Sequence, residues 1–472
     1  MTLLFDVGDP NFSNALKDYI SPLDFFVFII YLVVFGILLS SAKKKNIEKN
    51  PAYKYFLTGF YVKLLFAFIF SFIYLFYYKG GDAINYFWST RAVTNLLLSK
   101  PQAALSIIVL NHRTVENWMC FYDTPYLPVW HYFFQQEDSF GVIRFSSPFM
   151  ILGFNLWLPC LVLLNLYLYR GIWKFFLLVC KFYPGNIKWN AISILFIPSV
   201  LFWGSGIMKD SYTLTASLWL VTNLYYCFIE RKRFMNNFLM LIVNVFILVT
   251  LKPYIFVALI PPSLIWVSFL YIKKIENKAL RMVSSPVLTA IGIVMGILVL
   301  RLFQSSLGVY GTSEGAIKQA QVVQQDLTRS EQYGENYYDI GEFDASFSGV
   351  LSKAPMAIVT GLFRPFIWEA NNIVMLISGL ENFILLIFSL YIIIRIGLKA
   401  VYRVIVKEPL IIFSLVFSII FAFSVGLASA NFGALVRYRI LATPFLLVAL
   451  INTFYLIRKG KKESQGISNT NE

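Results

Sequence analysis

The chain has 472 residues, 58% of them hydrophobic, 18% aromatic and only 14% charged, a composition that a water-soluble domain could not keep dispersed. The formal net charge is +15, yet the basic residues fall in short clusters between apolar runs, which excludes the continuous basic stripe of a nucleic-acid groove. The fold class these features predict is all-α: a polytopic membrane helix bundle, read as a single integral-membrane domain over residues 1–472.

Ahead of the first apolar run stand three Asp and one Lys. The basic start of a cleavable signal is missing, so the first helix is expected to remain. Runs of about 18 apolar residues can span a bilayer core of roughly 30 Å. Eleven candidate spans follow one another, near 24–42, 56–77, 148–168, 190–206, 213–229, 238–251, 255–272, 284–303, 373–395, 409–427 and 440–457. Basic clusters such as Lys43 to Lys45, Arg231 to Arg233, Lys273 with Lys274, Arg395 to Lys407 and the tail from Arg458 fall on one side if the spans alternate. That side is then cytoplasmic, which predicts an outer N-terminus and an inner C-terminus in a cytoplasmic membrane.

Two long connections, 79–147 and 304–372, fall on the outer face in this scheme. The first carries the short apolar pieces "AVTNLLLSK" and "ALSIIVL", suited to interfacial helices. The second contains a polar stretch from Thr312 to Asp344 that reads equally as a lid or as a disordered insertion. The cysteines Cys120, Cys160, Cys180 and Cys227 are widely spaced, which predicts small packed hydrophobes rather than a disulfide framework or a zinc site.

Candidate chemistry gathers at the outer turns. Asp82 follows Gly80 and Gly81 at the exit of the second span, where it can be a helix N-cap or a base. In the first outer connection His112 and His131 stand among Glu116, Asp123, Glu137 and Asp138, but their spacing matches no metal-ligand motif. Lys209 and Asp210 open a later helix after Trp203, Gly204, Ser205 and Gly206; they are either a capped hairpin or a phosphate ligand beside an acid. Lys252, next to Pro253, either joins such a site or snorkels. Arg364 and Glu369 lie among Phe363, Pro365, Phe366 and Trp368, an aromatic belt or a binding element. Arg437 and Arg439 flank Tyr438 at the outer start of the last span, against the orientation bias, and guanidinium forks suit an anionic partner.

An acid and several cations at one water–lipid boundary suit a phosphate-bearing lipid: cations for the leaving phosphate and a carboxylate for the acceptor proton. The outer Gly-Asp turn, the Pro-containing span ending near "KDS" and the final "RYRILATP" resemble the GT-C class of polyprenyl-phosphate-sugar glycosyltransferases. That resemblance implies Asp82 as catalytic base and Lys209 with Arg437 or Arg439 as holders of the lipid phosphate. It also implies a polyprenyl-linked sugar donor and a glycan, lipid or protein acceptor. Two departures stand out: Ala83 occupies the place of the acid that usually follows, and an extra span precedes the motif. Binding roles extend to Asp210, Arg364, Glu369 and Tyr438. No nucleotide-binding fingerprint and no cofactor motif appear, while a divalent metal stays open. The rival expectations are a polymerase or ligase of lipid-pyrophosphate-linked oligosaccharides and a transporter or flippase of a lipid-linked glycan.

Overall fold

The computed structural model describes residues 20–124, 129–327, 337–338, 340–341 and 346–464. The N-terminal residues read for a signal, and most of the polar stretch from 328 to 345, lie outside it. All regular structure among the described residues is helical. In chain order the helices are α1 (Pro22–Ile47), α2 (Phe56–Phe72), α3 (Asp82–Ser99), α4 (Pro101–Ile108), α5 (Val115–Met119), α6 (His131–Gln135) and α7 (Glu137–Leu152). They continue as α8 (Trp157–Phe182), α9 (Ile187–Leu195), α10 (Pro198–Trp203), α11 (Lys209–Leu224), α12 (Phe234–Leu251), α13 (Pro253–Lys273), α14 (Lys278–Leu302) and α15 (Ser313–Leu327). The remainder are α16 (Phe347–Ser352), α17 (Ala354–Phe363), α18 (Ile373–Tyr391), α19 (Leu398–Ile405), α20 (Pro409–Ala428), α21 (Phe432–Arg439) and α22 (Ala442–Ser464).

Among the described residues eight helices are long and apolar enough to cross a bilayer, or nine if α21 and α22, bent by 58° to each other, make one crossing. The chain is therefore a multi-pass membrane protein. Of the eleven runs expected from sequence, nine at most meet this test, and three runs take a different form. The run 148–168 contains a corner: α7 ends at Leu152, and Phe154 and Asn155 turn the chain with φ of 56° and 59° before α8 begins. The run 190–206 is split into α9 and α10, because Pro198 lacks an N–H and disfavours helical geometry at Ile197. The run 213–229 belongs to α11 and its continuation Tyr225–Ile229, in which Ser211, Thr213, Thr215, Ser217, Thr222 and Asn223 are all buried. Such a helix, enclosed all round, has no need of a uniformly apolar surface.

The chain forms two compact units. The first is drawn from Met1–Trp173, Leu201–Thr215 and Thr250–Lys252, the second from Lys174–Val200, Ala216–Val249 and Pro253–Glu472. In the first unit α1 presents Phe25, Phe26, Ile29, Val33 and Ile37 outward and buries only Asp24. That carboxylate completes a capping box with Ser21 on its own helix. Its Oδ1 also accepts the backbone N–H of Trp157 at 2.7 Å and of Leu158 at 3.3 Å, the first residues of α8. One acid thus satisfies donors at the start of two helices, where four N–H groups lack intrahelical partners. Beside it, α2 buries Phe60, Leu64, Ala67 and Phe70 along one face. The long connection after α2 folds as α3 to α7; α3 packs against α7 and buries Ile84, Phe87 and Val93.

In the second unit α17 and α20 cross where a Cβ on Gly361 would meet the Ala422 carbonyl at 2.1 Å and one on Gly426 the Ala357 carbonyl at 2.0 Å. Small residues at such a crossing let backbones touch, the main route to helix association in lipid. Helix α9 is tied to α22 by amides: Asn186 Nδ2 donates to Asn452 Oδ1 at 3.0 Å, and Asn452 Nδ2 donates to Asn190 Oδ1 at 2.9 Å. The described parts of the connection 304–372 are folded: α15 packs on α20, and Tyr338, 3% exposed, donates its N–H to the Ala430 carbonyl at 2.8 Å.

The doubled duty of Asp24 gives a test. Asp24→Ala leaves the Trp157 and Leu158 N–H groups without their acceptor, a loss of roughly 1–3 kcal/mol, and Asp24→Asn, which keeps an acceptor oxygen, loses less. Thermal unfolding of the purified protein in detergent should rank the three as wild type, Asn, Ala.

Candidate functional site

The first unit brings two of the predicted outer turns to one end of α2. Gly81, with φ +98°, is the cap residue of α3, and a Cβ there would lie 3.2 Å from the Tyr74 ring. Its carbonyl accepts from the N–H groups of Ile84 and Asn85. Asp82 is therefore the first helical residue and not the cap. The capping reading is corrected: Gly81 holds the cap position, and the half-buried Asp82 lies in the first turn, where the helix dipole favours negative charge. Tyr74 stacks on Phe70 with centroids 4.4 Å apart, and Phe70 in turn leaves room only for a glycine at Gly206. The two glycine turns thus rest on rings four residues apart on one helix, a rise of about 6 Å.

Beneath the second turn Lys63 is 1% exposed and donates to the Gly204 carbonyl at 2.6 Å and to Ser205 Oγ at 3.1 Å. Asn165 Nδ2 donates to the Ser205 carbonyl at 3.0 Å. These donors hold the Gly204–Gly206 turn at the start of α11, and two ion pairs leave from its first two residues. Lys209 Nζ meets Asp138 Oδ2 of α7 at 2.5 Å, and Asp210 Oδ1 meets Lys252 Nζ at 2.5 Å. Lys252 occupies the break between α12 and α13, which Pro253 enforces. Of the two pairs the second is enclosed, with side chains 3% and 7% exposed, while Lys209 and Asp138 are 18% and 44% exposed. The two acids and two bases cancel in formal charge. Lys209 is accordingly a shared cation, and an incoming phosphate would compete with Asp138 for it.

The second unit assembles Arg364, Glu369 and Arg439. Arg364 Nε donates to Glu369 Oε1 at 2.9 Å and Nη2 donates to the same oxygen at 2.5 Å, while Glu369 Oε2 accepts the Phe366 N–H at 2.8 Å. The guanidinium lies over the rings of Tyr338 and Phe432, 4.9 and 5.2 Å from their centroids. Arg439, 3% exposed, donates Nη1 to the Arg364 carbonyl at 2.7 Å, and its buried Nη2 has no hydrogen-bond partner among the described residues. Burial pushes the Tyr338 phenol upward, opposed by its hydrogen bond with Ser429 and by the charges of Arg364 and Arg439. Tyr338 is thus a neutral hydrogen-bonding group between two cations.

Arg437 and Arg439 do not act as a pair. Two residues apart on a helix, they point to different faces: Arg439 is turned in onto carbonyls, and Arg437 is half-buried with its guanidinium 5.6 Å from the ring of half-buried Tyr438. In the connection 79–147 His112 Nδ1 contacts Ser106 Oγ at 3.3 Å and His131 Nε2 contacts Gln135 at 3.1 Å. Among the described residues no three His, Cys, Asp or Glu side chains gather in a metal-binding group. Sequence reasoning missed Asp24, Tyr338 and Ser429, and it took Asp138 for a metal candidate rather than an ion-pair partner. The spacing of Ser21 and Asp24 signals the capping box at the start of α1, but nothing in the neighbouring residues signals the partners that these side chains find elsewhere in the chain.

Breaking an enclosed ion pair from one side strands the other charge, at about 3–5 kcal/mol, whereas replacing both charges by apolar groups is often neutral. Asp210→Leu and Lys252→Met should each lower thermal stability strongly, and the double variant should recover most of the loss; additive losses would contradict the pairing.

Comparison with protein-family models, with characterised proteins and with solved structures finds no match for this chain.

Proposed function

We propose that this membrane protein is a glycosyltransferase that moves a sugar from a polyprenyl-phosphate donor to a cell-envelope acceptor at the outer face of a cytoplasmic membrane. The buried α11 and the broken pair α9 and α10 complete eleven crossings in this reading. The observation that carries it is the placement of Asp82: a half-buried acid in the first turn of α3, following the Gly81 turn that lies against Tyr74, whose ring stacks on the Phe70 ring that meets the Gly206 turn before Lys209 and Asp210. In the reaction Asp82 accepts the proton of an acceptor hydroxyl as its oxygen attacks the anomeric carbon. The carbon–oxygen bond to phosphate breaks, and polyprenyl phosphate leaves with the bonding electrons. Lys209, exchanging Asp138 for the phosphate, offsets the charge that develops on the leaving group.

Asp82→Asn should cut sugar transfer from a purified lipid-linked donor by about 100-fold or more, the usual contribution of a positioned base, with unfolding temperature unchanged. Wild-type turnover in this variant would remove the base role.

Single substitutions separate Arg437 from Arg439, the two residues between which the resemblance leaves the choice open. Arg439→Gln, which removes the donor to the Arg364 carbonyl, should lower the unfolding temperature, whereas Arg437→Gln, at a half-buried position, should change it much less.

A second reading, movement of a lipid-linked glycan, is favoured by one observation. The enclosed Asp210–Lys252 pair lies at a helix break, an arrangement that transporters place near their substrate. Flux in proteoliposomes without formation of a glycosidic bond would establish it over the transferase.

A further inference from the structure

Helix α19 in the second unit is eight residues long, too short to cross a bilayer. It joins two helices that are long enough, Ile373–Ile396 and α20. Gly397, with φ +87°, turns the chain out of the first of these and serves as the cap residue of α19.

At 100° per residue the sequence LKAVYRVI divides around the helix into three sectors. Ala400, Val401, Val404 and Ile405 are half-buried and form the side turned to the protein, where α19 packs against α20 and α22. Leu398 and Tyr402, one turn apart, form a second sector and are 68% and 67% exposed. Lys399 and Arg403, also one turn apart, form the third and are exposed. Arg395 and Lys407 extend the basic character at either end of the helix and are exposed as well. None of these four cations makes an ion pair among the described residues, and Glu408, the acid next in sequence, lies 3.7 Å from Lys273.

Two outward apolar side chains beside a row of uncompensated cations are a poor surface for water. They suit the boundary where acyl chains give way to headgroups, and the flanking membrane helices hold α19 near that level. The cations add a sign: near the membrane surface each Lys or Arg is worth about a fivefold gain in affinity for anionic over neutral lipid.

We propose that α19 is a binding site for an acidic phospholipid, with Lys399 and Arg403 on its phosphate and Leu398 and Tyr402 among its acyl chains. This assignment is independent of the transferase reading. The full-length protein, purified in neutral detergent, is titrated with phosphatidylglycerol or phosphatidylcholine, and bound lipid is counted by native mass spectrometry. Phosphatidylglycerol should bind preferentially, and Lys399→Gln with Arg403→Gln should reduce that preference by roughly 25-fold. A control that keeps the charge, Lys399→Arg with Arg403→Lys, should change that preference by less than twofold. Leu398→Ser with Tyr402→Ser should also weaken retention while leaving every charge in place. Equal binding of the two lipids, an equal loss in the control, or displacement by soluble glycerol phosphate would each overturn the proposal.

Discussion

The enclosed contact between Asp210 and Lys252 is the constraint on which much of the first unit depends. Either charge alone in so little solvent would carry a desolvation cost of several kcal/mol, so the first turn of α11 and the break between α12 and α13 must meet. Pro253 opens that break by denying the chain one N–H, and Lys252 turns the interruption into a bond with a distant helix. The same demand is met differently at two other buried charges. Lys63 is solvated by the Gly204 carbonyl and the Ser205 hydroxyl, and Asp24 by two N–H groups at the start of α8. Each replaces water with fixed dipoles, and each thereby fixes a joint between segments far apart in sequence.

These joints determine what the candidate chemistry can be. With Gly81 at the cap position, Asp82 stands in the first turn of α3, where the helix dipole favours its charge. Lys209 has an acid partner that is itself accessible, an arrangement that can yield to a competing phosphate; Lys252 has one that is enclosed and cannot be exchanged without leaving a buried charge. In the second unit the arginines differ in the same way. Arg364 is committed to Glu369 and to two aromatic faces, whereas Arg439 spends one nitrogen on the Arg364 carbonyl. A count of positive charges near the outer turns treats these cations as equivalent, and their surroundings separate them.

Much of the secondary structure was legible from apolar periodicity, because transfer of a side chain into lipid is nearly a property of that residue alone. The errors came where a run of suitable composition was interrupted by backbone geometry. Pro198 announces its break openly, while the corner at Phe154 and Asn155 lies inside a largely apolar run and is signalled only by Gly153, the C-cap of α7, and by Asn155, a residue tolerant of positive φ. Helix α11 shows the opposite case: the run 213–229 reads as a span despite its Ser, Thr and Asn residues, and full enclosure explains why they are tolerated.

By itself the sequence determined that the chain is helical and crosses a membrane several times, where glycine and proline punctuate it, and which turns carry charge. Only the tertiary structure decided that Asp24 caps a helix 133 residues away, that Asp138 belongs to Lys209, and that Arg437 and Arg439 diverge. The physical reason is range. Hydropathy and turn preference are set within a few neighbouring residues, whereas an ion pair or a shared hydrogen bond depends on a separation of about 3 Å between groups that the linear order leaves unrelated.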